Sequence, residues 1–276
     1  MKYIEKSVDD DVAYLIPISD LHIGDKSFSK SGRKKLNGYI NWVKERDNAF
    51  VFLGGDIFNV AGRQTLTSPF DSSSDEYELA IDLFEPIKDK IIGAIEGNHE
   101  FRMIDEFGYS PTSLLCKHFN IVYARWSAII RFKVGKRKDS NNRYRENYFV
   151  YYHHLTGGGR RTGSKINKLE DLRDIVEGMD VYIGGHTHQL SAHPKEIYYP
   201  SMQGKSVERR RIWFVNSGSY YDWGDNYSEQ KMYSPPKLGS PRIRFDGKKH
   251  DVHISFDDLS ELEEIEKELK LMNKNL

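Results

Sequence analysis

Over its first two thirds the chain alternates short apolar runs with longer polar, amphipathic stretches. Residues 13–19 read as a strand, about 29–47 as a helix, 49–54 as a strand, about 75–90 as a helix and 91–96 as a strand. This alternation predicts an α/β layered architecture. After about residue 120 the texture changes. Two strand-like runs, 127–134 and 147–152, flank a basic polar link beginning at Gly135, which predicts a hairpin with an exposed loop. A helix at about 167–177 and a strand at 180–184 restore the earlier rhythm, before further strands near 211–215 and 242–255. No fixed-period repeat or linker divides the chain, so the expectation is one domain over residues 1–276 with its core at about 13–220.

Two segments look like attachments to that core. Residues 65–76 are serine-rich and predict a solvated loop at the edge of whatever the preceding strand presents. From Asp257 to Met272, Leu259, Leu262, Ile265, Leu269 and Met272 recur at spacings of three and four among many charges, the pattern of an amphipathic helix. Such a stripe ordinarily packs on its own domain; the sharper alternative is a contact in a homo-oligomer.

Composition sets bounds rather than naming a chemistry. Of the 276 residues, 41 are Lys or Arg and 41 Asp or Glu, so no global charge advertises nucleic acid or membrane as a partner. The single cysteine, Cys116, excludes an internal disulfide and lies in a helix-like context as a small buried hydrophobe. The first residues lack the apolar core of a secretory signal, and no apolar stretch approaches the roughly 20 residues needed to span a bilayer. A soluble cytoplasmic protein without a membrane partner is expected.

The chemistry lies where the apolar runs stop. Asp20 and His22 follow the first run, Asp56 the second, Asn98 and His99 the third, the pair His153 and His154 the fourth, and His186 and His188 the fifth. Any one block alone is weak, because Asp and His after a strand commonly shape the next turn. Five together are hard to produce by chance. Carboxylate, imidazole and amide donors without a thiolate suit manganese, iron or zinc, and nickel or magnesium also fit. Seven or eight donors are too many for one ion, whereas two divalent metal ions about 3.5–4 Å apart sharing a carboxylate would use them all, a known solution for phosphoester hydrolysis. Gly54, Gly55, Gly97, Gly184 and Gly185 are expected to let the backbone turn sharply at the strand ends.

The set Asp20-x-His22, Gly55-Asp56-x-x-Asn59, Gly97-Asn98-His99-Glu100, His154 and Gly185-His186-Thr187-His188 resembles the calcineurin-like metallophosphoesterases. Val215-Asn216-Ser217-Gly218-Ser219 looks like that family's Asn-Pro-Gly-Ser strand end, with serine in place of proline. The resemblance implies a four-layer α/β/β/α sandwich with a binuclear metal site at the strand ends. It further implies that Asp20, His22 and His188 hold one ion, that Asn98, His154 and His186 hold the other, and that Asp56 bridges them. A bridging hydroxide would then be the nucleophile. His99 would give a proton to the leaving oxygen or hydrogen-bond the phosphate. His153 competes with His154 for one place; strand alternation aims only one of them well, and the glycines from Gly157 onward favour His154.

Departures from the pattern point to a branch. Protein serine/threonine phosphatases of this superfamily carry Asp-Arg-Gly where this chain has Asn59-Val60-Ala61, and arginine where it has Glu96. Gly55-Asp56-Ile57-Phe58 is nearer the form of the nuclease and phosphodiesterase branches. Without that aspartate, His99 is expected to lose its orienting carboxylate and to be a weaker acid. Arg63, Arg102 and Arg160 lie close in sequence to donor blocks, so each is a candidate contact for a second phosphate or a nucleotide backbone. Residues 136–138 and 209–211 are basic clusters that could extend a nucleic-acid track, although solvated runs are the plainer account. Tyr220, Tyr221 and Trp223 would either stack on a base or fill the core edge. The function expected is hydrolysis of phosphoesters, most of all phosphodiesters in DNA or a nucleotide. The alternatives are a phosphomonoesterase of small metabolites and a non-catalytic binding module that kept the fold.

Overall fold

The computed structural model describes residues 1–60, 73–135, 146–157, 159–201, 204–224 and 227–259. The strands are β1 (Lys2–Val8), β2 (Val12–Ile18), β3 (Ala49–Leu53), β4 (Ile91–Ile95), β5 (Val122–Arg125), β6 (Ser127–Val134), β7 (Glu146–His153), β8 (Val181–Gly184), β9 (Leu190–Pro200), β10 (Val207–Ser217), β11 (Arg242–Asp246) and β12 (Val252–Ser255). The helices are α1 (Lys30–Lys44), α2 (Ser73–Phe84), α3 (Asn98–Phe107), α4 (Pro111–Phe119), α5 (Thr162–Glu170), α6 (Leu172–Ile175) and α7 (Tyr227–Gln230).

The strands make two six-stranded mixed sheets, ordered β1-β6-β7-β8-β10-β9 and β12-β11-β2-β3-β4-β5. Between them lies a dry layer that includes Leu15, Phe52, Phe132, Tyr152, Ile183 and Phe245. A second apolar cluster sets β2, β3 and β4 against α1, α2 and α4 through Ile16, Val51, Leu36, Val43, Phe84 and Leu115. A third, with Leu169, Leu172, Tyr182 and Phe214, covers the outer face of the other sheet with α5 and α6. Helix, sheet, sheet and helix therefore stack in the four layers that the family resemblance implied. Cys116 sits buried in α4.

Local chemistry explains where the observed elements depart from the expected ones. Pro86 interrupts the helix expected over 75–90: α2 stops at Phe84 and a 3-10 turn, Glu85–Lys90, follows. The helix expected at 167–177 begins earlier, at Thr162, and breaks at Asp171. Both β1 and β9 lie at the edges of their sheet, and β9 carries Pro194 and Pro200, tolerable there because an edge strand need not donate on its free side. Leu259, the first apolar residue of the carboxyl-terminal stripe, packs into the cluster with α1. The rest of that stripe, the 136–138 basic cluster and most of the serine-rich segment lie outside the described residues. Within the described residues no helix is long and apolar enough to cross a membrane.

Parallel pairing decides where function sits. β2, β3 and β4 run parallel in one sheet, and β7, β8 and β10 run parallel in the other. Their carboxyl ends gather at one edge of the sandwich, the usual place for ligands in α/β sheets.

Candidate metal centre

Each donor block continues one of these strands. The hydrogen bonding of β2 to β3 persists past the strand ends, with Asp20 N–H donating to Gly55 O at 3.0 Å, His22 N–H to Asp56 O at 3.0 Å and Asn59 N–H to Ile23 O at 2.7 Å. This ladder locks Asp20 and His22 beside Asp56. The backbone leaves the strand conformation at the donors themselves: Asp20 (φ 54°), His22 (φ 51°), Asp56 (φ 50°), His186 (φ 64°) and His188 (φ 52°) are all left-handed. Non-glycine residues hold that conformation at a cost of order 1–3 kcal/mol each, and only where the surroundings over-determine it.

The side chains converge as two groups. Asp20, His22 and His188 make one three-residue set able to hold an ion, and Asp56, His154 and His186 make another. Asp56 Oδ2 lies 3.9 Å from His22 Nε2 and 3.2 Å from His154 Nε2, so one oxygen faces a histidine of each set. His188 Nε2 is 3.3 Å from Asp20 Oδ1 and 3.2 Å from His22 Nε2. Asn98, at the start of α3, turns its Oδ1 toward His186 Nδ1 at 2.7 Å and His154 Nε2 at 3.3 Å. His99 also groups with His22 and Asp56, its ring edge-on to His22 with centroids 4.5 Å apart.

Of the adjacent pair, His154 enters the cluster. Its Nδ1 bonds Gly54 O at 2.7 Å, which aims Nε2 at Asp56 and Asn98. His153 turns elsewhere, and its Nδ1 accepts the Leu155 N–H at 2.8 Å. Behind the donors stand braces. Ser19 Oγ donates to Asp20 Oδ2 and meets Ser217 Oγ, both at 2.6 Å, and the His186 N–H reaches both Asp20 oxygens at 3.1 Å. Thr187 Oγ1 donates to Asn216 Oδ1 at 2.9 Å, which ties the His-Thr-His turn to the end of β10.

Glu100, quoted in the sequence motif without a role, proves to be the main brace. Its buried carboxylate accepts four main-chain N–H groups: Asp56 (3.0 Å) and Gly97 (2.9 Å) on Oε2, Ile57 (2.6 Å) and Phe58 (3.0 Å) on Oε1. Burial, with Asp56 and Glu96 nearby, pushes this carboxyl up to about 8, while the four donors all favour its ionised form. His99 also gains an unforeseen partner. Its Nδ1 bonds the main-chain carbonyl of Asn59 at 2.9 Å, so position 59 orients the imidazole through its backbone.

The glycines act differently from the expectation. Of the five at these strand ends only Gly55 (φ 88°) takes a left-handed turn. The others provide room: a Cβ on Gly97 would overlap the Asp56 carboxylate, and one on Gly185 would come within 2.8 Å of His154 Nδ1. Five of the seven donors carry left-handed turns, and the glycines let neighbouring backbone come close to the cluster.

Charge tests whether divalent ions suit these residues. Asp20 and Asp56 are fully buried, and among the described residues their ion pairs are with imidazoles alone. Burial would lower the His154 imidazole, yet the Asp56 carboxylate beside it, aided by Asp20, raises it to about 10. Asp56 itself is held well below the ordinary carboxylate range against burial, chiefly by His154. Without another cation the pocket thus retains a proton to balance its carboxylates. His22 shows the opposite need. Burial and the neighbouring His99 depress it well below the usual imidazole range, and its buried Nδ1 has no hydrogen-bond partner among the described residues. Ionised carboxylates, a neutral imidazole and an amide oxygen around a site short of positive charge fit hard or borderline divalent metals.

The expected substrate contacts are less gathered. Arg63 lies outside the described residues. Arg102 is exposed on α3, and Arg160 is exposed before α5 with its guanidinium 5.9 Å from the Tyr233 ring. Among the described residues neither bonds to the cluster. In the 209–211 run, Arg210 pairs with Asp180 at 2.7 Å and Arg211 with Glu196 at 2.8 Å. Tyr221 lies against the His22 and His188 rings at 5.1 and 5.3 Å, whereas Tyr220 fills the core and Trp223 Nε1 donates to Tyr233 O.

Comparison with known proteins follows the same line. Three solved structures are similar at low identity. Calcineurin-like phosphoesterase YfkN from Bacillus subtilis is 12% identical over 90% of this chain and 91% of that one, with a TM-score of 0.48. An uncharacterized Streptococcus pneumoniae protein described as a predicted phosphoesterase is 14% identical over 88% of each chain, with a TM-score of 0.37. The NAD nucleotidase of Haemophilus influenzae is 12% identical over 89% of this chain and 49% of that one, with a TM-score of 0.42. No curated protein matches the chain in sequence. The family model of the calcineurin-like phosphoesterases matches residues 15–190, the span from β2 to the start of β9 that contains all the donors, and the chain belongs to that family.

Proposed function

We propose that this protein is a phosphodiesterase acting on DNA or a nucleotide, working with two divalent metal ions. Asp20, His22 and His188 would hold one ion, and Asn98, His154 and His186 the other, with Asp56 shared. The observation that carries this reading is the single Asp56 oxygen faced by His22 from one set and His154 from the other. Bound there, divalent ions would supply positive charge to an incoming phosphate and acidify a water molecule.

The chain's own groups have distinct tasks. Asp56 divides its carboxylate: Oδ1 accepts the His99 N–H at 2.8 Å, which leaves Oδ2 directed at the two sets. His154 is held by Gly54 O, so its Nε2 is the nitrogen offered inward. The Asn59 carbonyl can only accept, so His99 Nδ1 carries a hydrogen and Nε2 is the atom that exchanges a proton with the leaving oxygen. The Asn59 carbonyl thus orients that ring without bringing a negative charge to it.

The test is an assay of the purified protein loaded in turn with manganese, zinc and magnesium. Substrates are aryl phosphate mono- and diesters, single- and double-stranded DNA and cyclic nucleotides, with Asp56→Asn as control. Diester cleavage that depends on Asp56 supports the proposal. Preference for monoesters overturns it in favour of a phosphomonoesterase, and equal inertness of wild type and Asp56→Asn with every metal favours a binding module.

A further inference from the structure

The rim of the cluster carries two exposed aromatic side chains that phosphate chemistry leaves unexplained. Phe101 is 39% exposed and Trp126 is 38% exposed, and their rings meet edge-to-face with centroids 5.0 Å apart. Phe101 belongs to the helix that supplies Asn98, and Trp126 precedes the strand that pairs with β7. α3 starts at Asn98, so Phe101 and Arg102 stand one turn later at i+3 and i+4, on the face that bears Asn98. Helical side chains lean toward the amino end of their helix, here the cluster end. On the other side, Ser127 is registered opposite His153, which places Trp126 beside the turn that delivers His154. The Arg125 carbonyl accepts the Glu96 N–H at 2.6 Å, two residues before Asn98.

Three further features set this pair apart from a stray surface patch. Arg125 holds a left-handed φ of 60°, a strained conformation for a side-chain-bearing residue, at the step that brings Trp126 to the surface. Its guanidinium lies 5.0 Å from the Trp126 ring centroid. Arg102 adds a second exposed cation on the adjoining helix face. Open ring surface flanked by cations, next to a site for a phosphate, is the arrangement that receives unpaired bases along a nucleic-acid backbone.

We infer that Phe101 and Trp126 form a stacking platform for a nucleobase of single-stranded nucleic acid, or of a nucleotide diester, whose phosphate lies in the Asp56 site. This rests on the phosphodiesterase reading. Arg102 and Arg125 meet the neighbouring phosphate. A base held in a duplex has no free face to offer, so the platform selects single strands.

Phe101→Ala, Trp126→Ala, Trp126→Phe and the double alanine variant are compared with wild type on two esters with the same leaving group, thymidine 5′-(p-nitrophenyl phosphate) and methyl p-nitrophenyl phosphate. Stacking losses on the order of tenfold per base are expected in kcat/KM for the thymidine ester. The methyl ester should stay within about twofold, and Trp126→Phe should recover most of the loss. Equal loss on both esters, or none on the thymidine ester, overturns the platform while leaving the phosphodiesterase reading intact. Anisotropy titration of a labelled phosphorothioate octathymidylate into the manganese-loaded proteins supplies a readout independent of turnover. Weaker binding by Trp126→Ala supports the platform even if wild type cleaves neither ester, which would sink only the catalytic reading; unchanged binding refutes the platform.

Discussion

Glu100 holds Asp56 from behind: its Oε2 accepts the Asp56 main-chain N–H at 3.0 Å while the Asp56 side chain points forward into the cluster. Three more main-chain donors share the same buried carboxylate. In Glu100→Gln an amide N–H₂ replaces one oxygen and turns donors against donors, and each buried N–H left unpaired costs about 1–3 kcal/mol. We expect a lower urea midpoint together with loss of bound metal by elemental analysis. A variant with wild-type midpoint and wild-type metal content would show that Glu100 does not brace Asp56.

The same pair shows how far the sequence carries and where it stops. Asp56 was legible because a donor after an apolar run marks a strand end, and parallel strands must bring such ends together. Glu100 could be quoted as part of a motif, but its partners are backbone N–H groups 42 to 44 residues away, and backbone has no sequence signature. Asn59 illustrates the same limit. Its side chain suggested a lost interaction, and its carbonyl supplies one. Among the elements, β2, β3 and β4 stood out as apolar runs, while β9 did not, because the prolines an edge strand tolerates also mask it.

The adjacent histidines make opposite predictions. His154→Ala removes an Nε2 positioned 3.2 Å from Asp56, and should lower metal stoichiometry and reduce the rise in melting temperature on adding manganese. His153→Ala removes only the acceptor of the Leu155 N–H, so metal content should stay at the wild-type level, with a stability loss of about 1 kcal/mol. Loss of metal in His153→Ala alone would reverse the assignment.

Gly97→Ala isolates the effect of one methyl group. Gly97 has φ −101°, which alanine adopts freely, so any loss arises from overlap of the new Cβ with the Asp56 carboxylate and main chain. Asp56 must shift, and a displacement of about 1 Å at a catalytic centre can cost on the order of a hundredfold in rate. Diester hydrolysis should fall to that extent with the far-ultraviolet circular dichroism unchanged. Wild-type rates would mean that the Gly97 approach leaves no constraint on Asp56.

Far from the cluster, in the turn between β11 and β12, His250 offers a pH-dependent prediction. Its Nε2 lies 2.8 Å from Asp180 Oδ1, and that hydrogen bond raises the imidazole above its ordinary 6.5. Asp180 is held below its ordinary 3.8, burial notwithstanding, by the His250 bond and by Arg210. A raised histidine contributes fully below 6.5 and loses its contribution as pH climbs through the folded value; a depressed aspartate contributes above 3.8 and loses it as pH falls. The pair therefore stabilises most between about pH 4 and 6.5. With the His250 side chain 43% exposed, solvent screening limits the gain to about 1 kcal/mol or less. In denaturant titrations with chelator present throughout, His250→Gln should trail wild type more at pH 5.5 than at pH 8.5. A gap that is constant or grows toward alkaline pH would show that the imidazolium form is not what Asp180 favours.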